Sequence, residues 1–532
     1  MVLTPRTARS ARAARSALPG LLLAGLAACG GGGGNDLSGT ESPPPQSGYV
    51  DGNTYSALRG SSLATPNEAI SATHHTLTVD GTAYAYTATA GHLTARDPSS
   101  GAAEASFFYV AYTVDGAPAA TRPVTFFFNG GPGSSTVWLH LGSWAPKRLV
   151  TGVPATTQAA PFPYQDNPDS LIDTSDLVFV DAVGTGLSEA ISPNTNQTYW
   201  GVDADARVFR DFVVRWLAAN GRTASPLFIY GESYGTVRAP LLVRDLETAG
   251  TPVRGVILQS SILDYNSNCG TTVDFRGHPT VDCSGFLPSY AAVGAYWNLV
   301  TPAPSDLEGF LAQMRGVADD TYGPQVVQWL AAGASGGPPA GADVDALQAD
   351  TGLAAAAWTS QFDVDYDDYR HNLIPGQVLG VYDGRMAAAV GSALAAGDDP
   401  SNTFVAQPFE QAMTTLLAGE LGFTNPTTYV EESDAIDYWD FSHAGRGLPD
   451  VVPDLAAAIT LDPGLRVLSI GGEHDLITPF HQTERDLARL GSGAPVTSHF
   501  YAGGHMTYLN DPSRAAMKAD LKAFYAAAAG AK

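Results

Sequence analysis

Cysteine is scarce in this chain, with three in 532 residues, at positions 29, 269 and 283. No His or Cys pair stands at zinc-ligand spacing around the last two, which argues against a structural metal there. Basic residues are also few, 28 Lys and Arg against 53 Asp and Glu, for a formal charge of −25. After the first fifteen residues no long Lys/Arg cluster occurs. A phosphate backbone needs a basic face to bind, so nucleic acid is not an expected partner, and the acid excess reads as a solvated surface that favours solubility. No apolar run is long enough to span a bilayer. The one conspicuous glycine loop, Asn129 to Ser135, lacks the Gly-Lys-Ser/Thr ending that a phosphate-binding P-loop requires. No internal repeat is evident.

The N-terminus carries Arg6, Arg9, Arg12 and Arg15 with no acid, followed by a mostly apolar run from Leu18 to Ala28. This pattern predicts a signal peptide over 1–28. Its end, Leu26-Ala27-Ala28-Cys29, resembles the bacterial lipobox, in which the Cys is diacylated and becomes the new N-terminus. Two or three acyl chains anchor durably where one would not. The expectation is export, by ordinary secretion since no Arg-Arg pair precedes the run, and a lipid anchor in the cell envelope. Gly30, in place of Asp after the lipidated Cys, points to the outer membrane. In such an oxidising compartment Cys269 and Cys283, fourteen positions apart, are expected to form a disulfide.

Residues 29–65 are rich in Gly, Ser, Pro and Asn, including Gly30 to Gly34 and Pro43 to Pro45, and read as a flexible tether. The rest is long for one compact core, so an insertion is expected. Strand-like runs occur at 76–87, 105–114, 123–128, 177–181, 227–230 and 253–259, and again only at 465–470 and 495–501. Pro123 to Phe128 is apolar almost throughout, as a strand covered on both faces would be. Asp203 to Leu217 carries Val208, Phe212 and Leu217 among charges, an amphipathic helix. Strands alternating with helices predict an α/β fold whose mostly parallel central sheet has helices on both faces. Its first part is placed at 66–261 and its second at 451–532. The Ala- and Asp-rich interval 262–450, which holds the Cys pair, is read as an inserted, mainly helical cap.

Gly231-Glu232-Ser233-Tyr234-Gly235 matches the nucleophile-elbow pattern Gly-x-Ser-x-Gly. In a chain with 57 glycines the bare pattern is unspecific, but here it directly follows an apolar strand and precedes a helix-compatible segment from Thr236 to Leu246. The elbow needs that order, because the tight turn holds the Ser hydroxyl out at the carboxyl edge of the sheet. A serine hydroxyl also needs a base, usually His, oriented by a carboxylate. In the hydrolase fold the acid and then the His follow on later loops. Gly471-Gly472-Glu473-His474-Asp475 follows one late strand and Gly503-Gly504-His505 the other. His505 is the preferred base over His474, His481 and His499, while either Asp475 or Glu473 satisfies the spacing for the acid. The tetrahedral oxyanion needs amide donors. The Asn129 to Ser135 turn and the residue after the nucleophile nominate the Gly131 and Tyr234 amides.

Together these segments resemble the serine carboxypeptidase family within the α/β-hydrolase superfamily. The resemblance rests on Phe128 to Ser135, Asp176 to Ser188, Gly231 to Gly235, the Gly-x-x-Asp-x-x-x-Pro run around Asp475, and Gly504-His505-Met506. It implies the α/β-hydrolase fold, favours Asp475 as the acid, and implies release of C-terminal residues from peptide substrates through an acyl-enzyme on Ser233, with no metal or organic cofactor. By position, Asn129 and Glu232 would hold the substrate carboxylate. Two departures stand out. Ser134 replaces the loop Cys of eukaryotic members, so Cys269 and Cys283 form a different arrangement. Ser143 occupies the position where many members carry a second carboxylate-binding Glu, which leaves two rivals: the same triad acting on esters or in acyl transfer, and a non-catalytic ligand-binding surface lipoprotein.

Overall fold

The structure is a computed structural model that describes residues 48–271, 281–334 and 337–530. The signal peptide, Cys29 and most of the tether lie outside the described residues. Among the described residues no helix is long and apolar enough to cross a membrane.

Ten strands form the central sheet: β1 Ile70–Val79, β2 Thr82–Arg96, β3 Ala103–Val114, β4 Val124–Phe128, β5 Asp176–Val180, β6 Glu189–Ala190, β7 Leu227–Ser233, β8 Val253–Ser261, β9 Arg466–Gly472 and β10 Val496–Tyr501. Their spatial order is β10-β9-β8-β7-β4-β5-β3-β2-β1, with β6 beside β3. From β10 to β5 every neighbouring pair is parallel, and from β5 to β1 the pairs are antiparallel. The expected mostly parallel sheet is therefore present with an antiparallel wing. The run expected as one strand over 76–87 is a hairpin of that wing. Asp80 and Gly81 both take left-handed φ, 49° and 77°, the geometry of a two-residue turn whose twist matches the flanking strands.

The period of two along each strand feeds two cores. On β4, Phe126 and Phe128 enter one cluster and Phe127 the other; on β7, Leu227 and Ile229 oppose Phe228 and Tyr230. The helix Val202–Ala219 covers the first face with Val208, Phe209, Phe212, Val213 and Trp216, all buried. It has Asp203 and Asp205 in its first turn, where carboxylates favour the helix dipole. The C-terminal helix Asp511–Gly530 covers the other face through Met517, Leu521, Phe524 and Tyr525.

The interval 262–450 does not have a single core. Around the Cys269–Cys283 disulfide, Phe286, Tyr290, Trp358 and Tyr369 build a cluster of their own. From Pro400 onward the chain returns to the sheet. The helix Pro400–Gly419 buries Val405, Phe409, Met413 and Leu416 in the second sheet cluster, and Trp439, Phe441 and Leu448 join the first. The tether expected over 29–65 also ends early. Tyr49 and Val50 pair in parallel with Phe423 and Thr424, and Tyr55 is buried, donates to Asp51 Oδ2 at 2.6 Å and stacks on His92. The Gly/Ser/Pro background conceals these few aromatic anchors, which bind 49–55 into the fold.

Candidate active site

Strand β7 ends on Ser233, whose φ of 59° lies in the left-handed region. A non-glycine residue there costs about 1–2 kcal/mol, and the strain is held by the flanking glycines. A Cβ on Gly231 would lie 2.2 Å from the Gly235 carbonyl oxygen, and one on Gly235 would lie 2.8 Å from that of Phe128. Only glycine allows the chain to turn this sharply against the end of β4. The helix Gly235–Thr248 starts at once, with Tyr234 as its N-cap. Inside that helix Arg238 is fully buried, donates to Asp205 Oδ2 at 2.6 Å and to the Asn129 carbonyl at 2.9 Å. It therefore fixes the elbow helix to both the neighbouring helix and the glycine loop.

The loops after β9 and β10 are joined to one another. The amides of Glu473 and His474 donate to the carbonyls of Tyr501 and Gly503 at 3.0 and 2.8 Å. A Cβ on Gly472 would lie 2.1 Å from the Gly504 oxygen. This close approach brings Asp475 Oδ2 to 2.8 Å from His505 Nδ1. Asp475 is fully buried and accepts the Ile477 and Thr478 amides on Oδ1 and the Thr478 hydroxyl on Oδ2 at 2.6 Å. These donors hold the carboxylate in one orientation toward the ring. Burial alone would lower the His505 pKa, but the charge and hydrogen bond of Asp475, with Glu232 adding, raise it above the ordinary histidine value.

Among the other candidates, Glu473 makes no hydrogen bond to His505. His474 is buried and held neutral, its pKa pushed down to about 3 by burial. His481 pairs with Glu484 and Asp319, and His499 lies 3.9 Å from Asp520. Of these four, none lines the cavity that holds Ser233.

That cavity, about 550 Å³, is lined by Asn129, Gly131, Glu232, Ser233 and His505 together. The Gly130–Gly131 backbone reaches it because glycine at 130 lets the loop lie against the elbow; a Cβ there would be 2.4 Å from the Tyr234 nitrogen. Neither the Gly131 nor the Tyr234 amide is taken up by another hydrogen bond among the described residues. Asn129 spans the loop, donating to Glu232 Oε1 at 2.8 Å and accepting the Leu139 amide at 2.9 Å. The second Glu232 oxygen is buried with no hydrogen-bond partner among the described residues. Burial pushes the Glu232 pKa up to about 7 against the opposing pull of His505. Ser134 lines the cavity, whereas Ser143 is fully buried outside it and donates its hydroxyl back to the Leu139 carbonyl.

Sequence reasoning missed a strap over 429–440. Ser135 N donates to Glu431 O at 2.8 Å and Ser433 N to Gly133 O at 2.9 Å, while Trp439 Nε1 donates to the Tyr234 hydroxyl at 3.1 Å. The strap places Glu432, Ile436 and Asp437 on the cavity. Tyr382 was missed as well. Its carbonyl accepts the His505 amide at 2.6 Å and its ring lies 5.2 Å from the imidazole. Neither segment carries a periodicity or motif that could have marked it. A cluster that could hold a cation, Asp367, His371 and Asp398, lies apart from this cavity, and Arg370 already bonds both of its carboxylates.

Known proteins resemble this chain in sequence and in fold. Residues 80–278 match the family model described as serine carboxypeptidase. Serine carboxypeptidase-like 44 of Arabidopsis thaliana is 30% identical over 142 residues, which is 26% of this chain and 27% of the relative. The chain thus aligns with about a quarter of the length of that curated relative. The crystal structure of Kex1(Δ)p, a prohormone-processing carboxypeptidase from Saccharomyces cerevisiae, superposes with a TM-score of 0.53 at 14% identity, covering 82% of this chain and 91% of that one. The likeness shows a shared α/β-hydrolase fold.

Proposed function

We propose, from the match of residues 80–278 to the serine carboxypeptidase family model, that the chain removes C-terminal residues from peptides with Ser233 as nucleophile. The observation that carries the reading is the meeting, in one cavity, of a strained elbow serine, a histidine bonded to a buried aspartate, and a glycine loop with free amides. Ser233 attacks the last peptide carbonyl while His505 takes its proton, and Asp475 orients the ring and stabilises the imidazolium. The Gly131 and Tyr234 amides hold the oxyanion. His505 then returns the proton to the leaving amine, and water activated by the same base releases the acyl group.

Asn129 and Glu232 supply the preference for a free C-terminus. A protonated Glu232 donates a hydrogen bond to the substrate carboxylate, and an ionised one repels it. With its pKa raised to about 7, this contribution is present below about pH 7 and is lost as pH rises through it. His505 must be neutral to act, so activity also falls toward acid. The two groups interact, and the apparent values belong to the pair. A blocked dipeptide should therefore give a bell-shaped kcat/KM profile whose alkaline limb is carried by KM. The C-terminal amide of the same peptide should lack that limb, as should Glu232→Gln with the free peptide. An enzyme that hydrolyses a simple ester well and cleaves amide and free acid alike at all pH values is an esterase or acyltransferase with this triad.

We propose that the protein is exported and anchored through lipid on Cys29, supported by the arginine-led apolar leader and by the Cys269–Cys283 disulfide, which suits an oxidising compartment. Metabolic labelling with a fatty acid should mark the wild-type chain and not Cys29→Ser, which should be recovered in soluble form. Equal labelling of both would exclude the anchor.

A further inference from the structure

The penultimate residue of β8, Ser260, breaks the ladder beside Ser233. Glu232 pairs with Gln259 and Ser233 with Ser261, so Ser260 has no partner on β7. It is the extra residue of a bulge, a device that re-aims a side chain. Its φ of 49° lies in the left-handed region, where a serine is strained and a glycine is not. Ser260 is 2% exposed and does not line the cavity that holds Ser233. The strain therefore serves no contact in that cavity.

The bulge aims the Ser260 hydroxyl at the backbone of His505. Its Oγ donates to the His505 carbonyl at 2.6 Å, while Gln259 Nε2 donates to Oγ at 2.9 Å. Gln259 is fixed in turn, since its Oε1 accepts the Tyr230 hydroxyl at 3.2 Å and that hydroxyl accepts Trp144 Nε1 at 3.1 Å. Trp144, Tyr230 and Gln259 are fully buried. Every group in this chain donates in one direction, toward His505, and buried hydrogen bonds in series polarise one another. On the other side of the same Cα, the His505 amide donates to the Tyr382 carbonyl at 2.6 Å. Both peptide units flanking that Cα are thus held, one by the interval 262–450 and one by the sheet. The ring then turns only about its own side-chain bonds, which the Nδ1 bond to Asp475 fixes.

We propose that Ser260 is a positioning residue that sets the distance and angle of His505 toward Ser233, and that the strained bulge is retained for its hydroxyl. The inference rests on the reading of Ser233 as nucleophile and His505 as base. In the full chain, Ser260→Gly and Ser260→Ala both delete the hydroxyl, but only glycine relieves the left-handed backbone. Ser260→Gly should therefore melt above Ser260→Ala, while the two lose the same activity. The rate constant for labelling of Ser233 by a fluorophosphonate, which misfolded protein does not alter, should fall about tenfold in both, since a reacting group misplaced by about 1 Å costs about 10²-fold. On a blocked dipeptide kcat should fall in step with KM unchanged, and the NMR resonance of the His505 Nδ1 proton should shift. A serine kept only for stability predicts the reverse order, with activity following melting temperature and Ser260→Gly close to wild type. Should Ser260→Ala fail to fold, Ser260→Gly alone carries the comparison. Labelling of Ser260→Gly at the wild-type rate, or an unmoved Nδ1 resonance, overturns the proposal. A wild type that labels rapidly yet cleaves no dipeptide removes the peptidase reading, and the labelling rates still decide this inference. A wild type that is not labelled removes the triad reading and this inference with it.

Discussion

Replacing Ser233 by alanine should lower hydrolysis of a blocked dipeptide by about a millionfold, the scale seen when the nucleophile of a serine hydrolase is removed. The hydroxyl is the only atom lost. Ala occupies the same left-handed backbone position that Ser233 holds at φ 59°, so the elbow keeps its strain and the fold its melting temperature within a degree or two. The residual rate comes from the amides and from substrate positioning, which the substitution leaves in place. Steady-state kinetics with thermal melting of the same sample separates the outcomes, and a fluorophosphonate should label wild type alone. A variant with near-normal turnover would exclude Ser233 as nucleophile and, with it, the whole mechanism.

Asp475→Asn should reduce kcat by about 10⁴, the effect of presenting the wrong tautomer to an otherwise intact triad. The reason is local. Asp475 Oδ2 accepts from both His505 and the Thr478 hydroxyl, while Oδ1 takes two backbone amides. An asparagine that keeps its oxygen toward those amides turns its NH₂ toward Nδ1. The imidazole then carries its proton on Nε2, the atom that must accept from Ser233. The variant should also lose the elevated His505 titration, because the charge and hydrogen bond that outweigh burial are gone. NMR titration of the imidazole reads this independently of turnover. An unchanged His505 pKa, or a loss of less than tenfold in kcat, would assign the orienting role elsewhere.

The parts of the fold legible in the sequence are those written in local patterns. Val124–Phe128, but for Thr125, and the first four residues of Leu227–Ser233 are apolar because strands buried on both faces leave few polar positions. The elbow, the acid loop and the histidine loop each follow such a strand. What was not legible depends on tertiary partners. The Asp80–Gly81 turn lay inside an alternating run whose period it scarcely interrupts. Tyr49 and Tyr55 are anchored by Phe423, Thr427, His92 and Asp51, and the first three of these are remote in sequence. The strap over 429–440 is held by backbone bonds to Gly133, Ser135, Gly186 and Trp200 and by the Tyr429 and Trp439 side chains on Asp181 and Tyr234, partners all remote in sequence. The choice between Asp475 and Glu473 rested on resemblance, whereas the geometry separates them by a hydrogen bond.

The carbonyl of Tyr382 holds the amide of His505, and a Cβ on Gly504 would lie 2.2 Å from that same oxygen. Tyr382 belongs to the interval 262–450, not to the sheet that carries Ser233. The insertion therefore cannot act as an exchangeable cassette, as a lid that only frames substrate could. Grafting a different one onto this sheet would also loosen His505, so a reshaped cavity is more accessible by substitution within its wall than by recombination of whole segments.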